Sequence, residues 1–481
     1  MLCDSHVSKA LAASAAFAAI LLSAPCAMAV TFLVDSNLDK PDDLTMPGTC
    51  HTDTGTCTLR AAVMQANLTS GAGATITLPA GTYKLTIPAS GADGVEVGDL
   101  DIYGGNPTIA IAGAGASTTI IDANQIDRAF HVHAGRSVTI SGVTIQNGFT
   151  SNENPGGGIQ NEGSLTLDHL IVRNNHSDEH GGGVDSSGTL TVTNSIFTLN
   201  HGNGVGGGIR TTGDATITNS TISQGDAYEG GGIYSTTGTT TTVINSTINN
   251  NSATLRGGGI KSDGTLVLTR STVNNNDSAG SGGGIFLSGT GYLSSVNSTI
   301  SQNNATVDGG GIYNYGGADI FNTTIFFNGA DAAVTGVGRG GGIYNNDSLA
   351  ITNIRNTLIV GNYVSNSPTY RDCFGTVSTY GKNLYWDATE CTFVAPGASI
   401  SQLNSLSSVD SVLRNNGGPT LTHALLAGSN AIDGGDPDEG CIGPGPVTLA
   451  TDQRGFPRVA GARCDIGAYE LSDTIFVSGF E

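Results

Sequence analysis

The chain has 481 residues, 71 of them glycine and 14 proline, with charged residues at 12% and a formal net charge of −21. Glycine that ignores a three-residue period excludes collagen, the low charge content excludes coiled coils, and 38% hydrophobic residues are enough to build a core rather than a charge-rich disordered chain. Forty acidic against 19 basic residues exclude nucleic acid and anionic lipid as partners, since both reward clustered Lys and Arg, and leave neutral glycans and cationic surfaces open.

Residues 1–29 read as a secretory signal. Lys9 ends a short polar stretch, residues 10–22 are apolar but too short to span a bilayer, and Ala27-Met28-Ala29 supplies a small-x-small cleavage pattern. The mature chain is expected to begin at Val30. A lipoprotein reading through Cys26 is disfavoured by Pro25, which stands where a small residue should precede a lipidated cysteine. No later segment holds 18 apolar residues in a row, so no transmembrane helix is expected after cleavage. Six cysteines lie beyond the signal, an even number that suits an oxidising compartment. The expected bridges, among the fifteen connectivities that six cysteines allow, are Cys50–Cys57, Cys373–Cys391 and Cys441–Cys464. There is no C-x-x-C, and no histidine pair reads as having ligand spacing, which argues against zinc.

The segment CTLRAAVMQAN (57–67) has apolar positions at Leu59, Ala62/Val63 and Ala66, a helical spacing expected to cap the repeating region downstream of it. Residues 108–124 and 138–147 read as two irregular coils. From residue 156 the chain repeats: Gly-Gly-Gly followed by Ile or Val ends at Ile159, Val184, Ile209, Ile233, Ile260, Ile285, Ile312 and Ile343, in steps of 25, 25, 24, 27, 25, 27 and 31 residues. Each triplet is followed by an alternating apolar run and then by Asn-Ser-Thr-Ile-x-x-Asn or a variant. Thr, Ile and Val at period two predict strands, and about 25 residues per unit predict a right-handed parallel β-helix of three-strand coils. About ten coils at ~4.8 Å spacing would give a rod near ~50 Å.

Two columns are expected to run down the stack. An inward apolar column is read as Ile171, Phe197, Ile222, Ile248, Val273, Ile300, Ile325 and Ile359. An asparagine column is read as Asn147, Asn174, Asn200, Asn251, Asn276, Asn303, Asn328 and Asn362, broken by Gly225, with amides bonding along a ladder and tolerating left-handed backbone. The Asn-x-Ser/Thr strings are turn chemistry first. The period is lost after Asn362, so residues 363–471, with four cysteines and Trp386, are expected to form a disulfide-stapled C-terminal cap. The expected division is a signal at 1–29, an N-terminal cap at 30–105, the β-helix at 106–362, the C-terminal cap at 363–471 and a tail at 472–481, in a monomer.

CTLRAAVMQAN, followed by TITLPAGTYKL and GDLDI, resembles the CSLREA domain of exported bacterial proteins, with Arg60-Ala61 where that family carries Arg-Glu. The GGGI and asparagine repeats resemble the β-helix repeats of the pectin-lyase-like superfamily and those of polymorphic outer-membrane proteins. DQRGFPR (452–458) with CDIGAYE (464–470) resembles the choice-of-anchor Q segment of surface proteins, and DTIFVSGFE (473–481) resembles a short tail of exported gamma-proteobacterial proteins. The resemblance implies export to the medium or the outer surface of a Gram-negative bacterium, with sorting or attachment through the tail. No barrel of alternating strands comes after the cap.

Chemistry is harder to read. The Asn-Thr-Asp, Asp-Asp and Gly-His-Gly strings of pectin-lyase-like hydrolases are absent, as is the Arg-x-Pro-x-x-Arg string of the lyases. Asp178-Glu179-His180 beside Asp185 is the best catalytic candidate, and a solvated turn is the favoured reading. The residue after each triplet-Ile/Val forms an outward column: Gln160, Asp185, Arg210, Tyr234, Lys261, Phe286, Tyr313 and Tyr344. Its aromatics, Tyr234, Phe286, Tyr313 and Tyr344, are the candidate ligand-binding residues, since rings ~5 Å apart can line a glycan site. Two acidic clusters, Asp93, Glu96, Asp99, Asp101 and Asp433, Asp436, Asp438, invite calcium, although no calcium nonapeptide repeat is present and no other cofactor is expected. These features together indicate a surface-associated β-helix protein that binds or adheres to a glycan or cell-surface partner without catalysis. The alternative is a polysaccharide lyase or glycoside hydrolase on the same scaffold.

Overall fold

The computed structural model describes residues 29–69, 73–89, 94–105, 108–151, 154–332, 338–346, 350–365, 371–394, 399–436, 441–445 and 447–472. The signal segment before Ala29, Asp93, Asp438 and the tail at 473–481 lie outside the described residues.

Short parallel strands wind into one β-solenoid, right-handed as strand–crossover–strand connections are. The repeat centred on residues 159–177 shows one coil. Its triplet face is Ile159–Asn161, its long face Ser164–Asp168 and its third face Ile171–Arg173. A fourth, short ladder has a strand here at His176–Ser177 and belongs to a nine-stranded sheet, an addition to the expected three strands. Each strand pairs in parallel with its counterparts in the coils before and after, as Leu165 does with Val138 and Leu190. The earlier coils are present in strands such as Thr108–Gly113, Thr119–Asp122 and Ser137–Ser141.

The apolar column on the third face is buried, with one change of register. Val172, not Ile171, pairs with Phe197 and is fully buried, and Ile171 pairs with Ile196 on the outer side. The column then continues through Ile222, Ile248, Val273, Ile300, Ile325 and Ile359.

The asparagine column also shifts at its start, because the left-handed turn and the ladder amide belong to neighbouring residues rather than to one. Left-handed backbone falls on Asn147, Asn174, Leu199, Gln224, Asn250, Asn275, Gln302 and Phe327. The buried amides sit at Asn175, Asn200, Asn251, Asn276, Asn303, Asn328 and Asn362, in each repeat one residue beyond the turn. Within this ladder Asn251 donates from both its backbone N and its Nδ2 to Asn276 Oδ1, at 3.0 Å each, and Asn276 repeats the pattern on Asn303. At Gly225 only the backbone N continues, donating to Asn251 Oδ1. The last rung is Asp372, fully buried, whose carboxylate accepts from the Asn362 N and Nδ2 and from the Trp386 and Asp387 N–H groups.

Asn-Ser-Thr-Ile is explained in the same terms. Its Asn takes the left-handed turn, at Asn194, Asn219, Asn245 and Asn297. Its Ser is buried and accepts from the preceding coil, as Ser220 Oγ does from Ser195 N and Ser246 Oγ from Ser220 N. Its Ile or Phe fills the core. The triplet glycines are needed for two reasons. The first has φ between +62° and +80° at every repeat. A Cβ on the second or third would meet backbone oxygen of the adjoining coils, 2.4 Å from His176 O at Gly157 and 2.5 Å from Gly183 O at Gly158.

Both ends are covered. Helix Leu59–Leu68, N-capped by Thr58 Oγ1 accepting from Ala61 N, closes the first coil. All three expected disulfides are formed, Cys50–Cys57, Cys373–Cys391 and Cys441–Cys464. Residues 373–402 add the last strands, and the chain then runs back along the third face. There Thr420 Oγ1 donates to Arg270 O, Asn297 Nδ2 to Thr451 O, Asn322 Nδ2 to Ile442 O and Gly467 N to Asn356 O. His423 joins this segment to the solenoid, its Nδ1 donating to Asp410 O and its Nε2 accepting from Ser301 Oγ, at 2.7 Å each. Among the described residues no helix is long and apolar enough to cross a membrane.

The stacking can be tested in two ways. Asn276→Ala strips acceptors from the two Asn251 donors and a donor from Ile248 O; a loss of about 3 kcal/mol in urea unfolding is expected. Burial holds His423 neutral, with a pKa pushed down to about 4. The unfolded ring takes up a proton near ~6.5, so its contribution is complete above that pH and is lost as the pH falls toward 4. Burial pushes Asp372 and Glu470 up to about 7, so they act oppositely, costing stability as the pH rises toward 7. The stability difference between wild type and His423→Gln isolates the histidine. It should shrink by roughly 3 kcal/mol from pH 6.5 to 4, and a pH-independent difference would contradict the assignment.

Candidate functional site

The outward column is in register, and it is longer than the repeat suggests. Parallel pairing joins Gln160 to Asp185, Asp185 to Arg210, Arg210 to Tyr234, Tyr234 to Lys261, Lys261 to Phe286, Phe286 to Tyr313 and Tyr313 to Tyr344. It continues upstream through His131 to Asp101 and downstream to Phe374. The upstream coils carry no glycine triplet, so sequence spacing alone does not reveal these rungs.

The C-terminal half is aromatic. Phe286, Tyr313, Tyr344 and Phe374 stack with ring centroids 4.7, 4.8 and 4.9 Å apart and interplanar angles of 7°, 9° and 12°. The ring faces are therefore occupied by one another, and guanidinium groups lie over the outermost rings, Arg256 over Phe286 and Arg339 over Phe374. Phe286 is buried, contrary to its expected place on an exposed face, whereas Tyr313, Tyr344 and Phe374 are half-buried, so a ligand would meet the outer edges of these three rings. Tyr234 stands apart from this stack. Its hydroxyl donates to Asp263, and Lys261, whose Nζ lies 4.5 Å from the Tyr234 ring centroid and 2.7 Å from Asp263, intervenes before Phe286.

In the middle of the column the charges are paired. Asp185 meets Arg210 at 2.7 Å, and burial still pushes its carboxyl up. His180 Nδ1 accepts from Val205 N, and Asp178 accepts from His176 and Asn203. His180 Nε2 also lies 4.0 Å from Glu179 Oε2, whereas Asp178 and Asp185 are held by partners outside the group, so the four do not converge on one point.

The N-terminal end is different. Asp101 on strand Leu100–Ile102 and His131 on strand Phe130–Val132 face outward in adjacent coils, and His133, two residues on, shares that side. Asp101 Oδ1 lies 3.2 Å from His131 Nδ1 and 2.8 Å from His133 Nε2, and the two imidazoles lie 3.8 Å apart. Burial alone would raise the Asp101 carboxyl, but the bonds from both histidines hold it below its ordinary value. These three are the group among the described residues whose ligand atoms could hold a metal ion. The H-x-H spacing across the end of strand Phe130–Val132 is the signal that corrects the sequence reading, in which no histidine pair had ligand spacing. Beside it opens a cavity of about 480 Å3 walled by Asp99, Asp127, Arg128, Gln160 and Glu162.

Of the first acidic cluster, Asp99 pairs with Arg128 at 3.2 Å, Asp101 belongs to the histidines and Glu96 is exposed. Of the second, Asp433 Oδ1 accepts from Arg463 N, and Asp436 Oδ2 lies beside Gly381. The N-terminal cap holds the histidine site in place. Arg60, buried against Asp39 at 2.7 Å, donates to the carbonyls of Val95, Gly98 and Asp99, and Asn67 Nδ2 donates to Asp101 O. Arg60→Met should cost about 3–5 kcal/mol, because it leaves Asp39 charged and buried without its partner. Thermal or urea unfolding reads this directly.

Residues 159–329 match the family model described as a right handed beta helix region. No curated protein matches the chain. Among solved structures the chain is similar to pectate lyase Pel9A, at 17% identity over 92% of this chain and 97% of that one, with a TM-score of 0.43. It is also similar to the A-modules of two Azotobacter vinelandii mannuronan C-5 epimerases. AlgE4 is 16% identical over 71% of this chain and 94% of that one, with a TM-score of 0.43. AlgE6 is 14% identical over 71% and 93%, with a TM-score of 0.40. The family match and the strand register together make the repeat region a right-handed parallel β-helix.

Proposed function

We propose that the protein is exported and binds an extended glycan or similar cell-surface polymer along its triplet face, without turning it over. The observation that carries this reading is the in-register column from Asp101 to Phe374, in which Gln160, Arg210, Tyr234, Tyr313, Tyr344 and Phe374 are partly exposed along the rod. A polymer lying along that strip would meet tyrosine hydroxyls and ring edges, with its hydroxyls matched to the paired charges beside them. In the middle of the face Asp185 pairs with Arg210 and Lys261 with Asp263, which suits a neutral glycan there. Attachment to the outer surface through the C-terminal segment and tail is part of the same proposal.

The test is retention of the mature protein on immobilised polysaccharides. The Tyr313→Ala, Tyr344→Ala double variant should lose retention at least ~10-fold, equivalent to about 1.4 kcal/mol, with its circular dichroism spectrum unchanged. Unchanged retention would remove the aromatic stack from the binding site. Release of unsaturated or reducing ends from any polymer in the panel would replace binding with lyase or hydrolase activity.

A further inference from the structure

We infer that Asp101, His131 and His133 form a binding site for one zinc-like first-row divalent cation. The donor set is one carboxylate oxygen and two imidazole nitrogens, with all three ligand atoms within 4.8 Å of one another. Ligands held 2.0–2.1 Å from a tetrahedral ion stand about 3.3 Å apart. Asp101 Oδ1 and His131 Nδ1, at 3.2 Å, already have that separation, and His133 at 2.8 Å has to withdraw by a few tenths of an ångström. Its side chain is 28% exposed and has room to do so.

The surroundings point the same way. Asp101 is 1% exposed, yet its Oδ2 has no hydrogen-bond partner among the described residues. No Lys or Arg is paired with it there, since the nearby Arg128 engages Asp99 and Asp127. A buried carboxylate with no cationic partner and one unpartnered oxygen is costly, and an ion on Oδ1 compensates its charge. His131 Nε2 also lacks a hydrogen-bond partner, and Glu162 Oε1 stands 3.6 Å from it. With Nδ1 on the ion, the Nε2–H faces that carboxylate, the arrangement that orients and strengthens a metal-bound imidazole. Asn67 fixes the Asp101 main chain from behind.

Two nitrogens in three ligands select zinc-like ions over calcium and magnesium, which require oxygen. Three protein ligands leave a fourth position for water or a ligand oxygen, and the cavity walled by Gln160 and Glu162 adjoins it. The site lies at the end of the column remote from Tyr313 and Tyr344, so it stands or falls independently of glycan retention.

Chelator-stripped mature protein, titrated calorimetrically with ZnCl2, should take up one equivalent with micromolar or tighter affinity, undiminished by millimolar CaCl2. Co2+ in place of zinc should give visible absorption of the intensity that marks a four-coordinate site. His133→Ala should weaken zinc binding by at least ~100-fold, and Glu162→Gln by the ~10–100-fold typical of an outer-shell partner. Should His131→Ala or Asp101→Asn fail to fold, the partly exposed His133 still decides the matter. Zinc binding no tighter than millimolar, or unchanged in His133→Ala, would reduce the trio to a hydrogen-bonded network and overturn the inference.

Discussion

Parallel coils of this solenoid must lie about 4.8 Å apart along their whole length, and every other feature depends on that separation. The triplet glycines permit it, because side chains at the second and third positions would strike carbonyls of the adjoining coils. The asparagine and serine ladders use it, handing two hydrogen bonds per asparagine rung and one per serine rung from coil to coil in the positions where the backbone turns and cannot pair with itself. Asp372 ends the asparagine ladder with a group that only accepts, meeting four N–H donors at once. Burying that carboxyl is costly, as its raised pKa reports, and the cost falls where the last coil has no successor.

The same spacing produces the surface. A side chain after the triplet has its counterparts one strand separation away on either side, so residue type alone decides what each stretch of the column becomes. Phe and Tyr in succession become a closed stack of rings. Acid and base in succession become an ion pair, as at Asp185 and Arg210. Asp and His in succession, with a second His two residues on, become a cluster of metal-ligating atoms. The N-terminal cap contributes more than an end cover here, because the buried Asp39–Arg60 pair clamps the loop that leads into Asp101.

Much of this is legible in the sequence because each coil repeats one positional code. The fold, the triplet positions, the outward column and the three cysteine pairs can be read from spacing. Misreadings fall where the code is degenerate. Ile171-Val172 offers two apolar residues for one inward position, and Asn174-Asn175 two asparagines for one rung, so only backbone register separates them. His131 and His133 stay hidden because their coil lacks the triplet that marks the others. The return of residues 403–472 along the third face is also illegible, since it rests on hydrogen bonds across 120 to 182 residues made by ordinary Thr, Asn and Gln side chains. The stacking of the aromatic rings against one another, rather than outward as platforms, likewise shows only once their side-chain orientation is known.

Amide hydrogen exchange at single-residue resolution tests the central claim, that the inter-coil ladders hold the solenoid and its surface column together. The backbone N–H groups of Asn251, Asn276, Asn303 and Asn328 should be among the slowest to exchange. In Asn303→Ala, protection should fall at Asn276 and the adjoining rungs while the coils before residue 200 keep theirs, as expected when each repeat contacts only its neighbours. Fast exchange at those four asparagines in the wild type, or a variant that loses protection evenly from end to end, would contradict it.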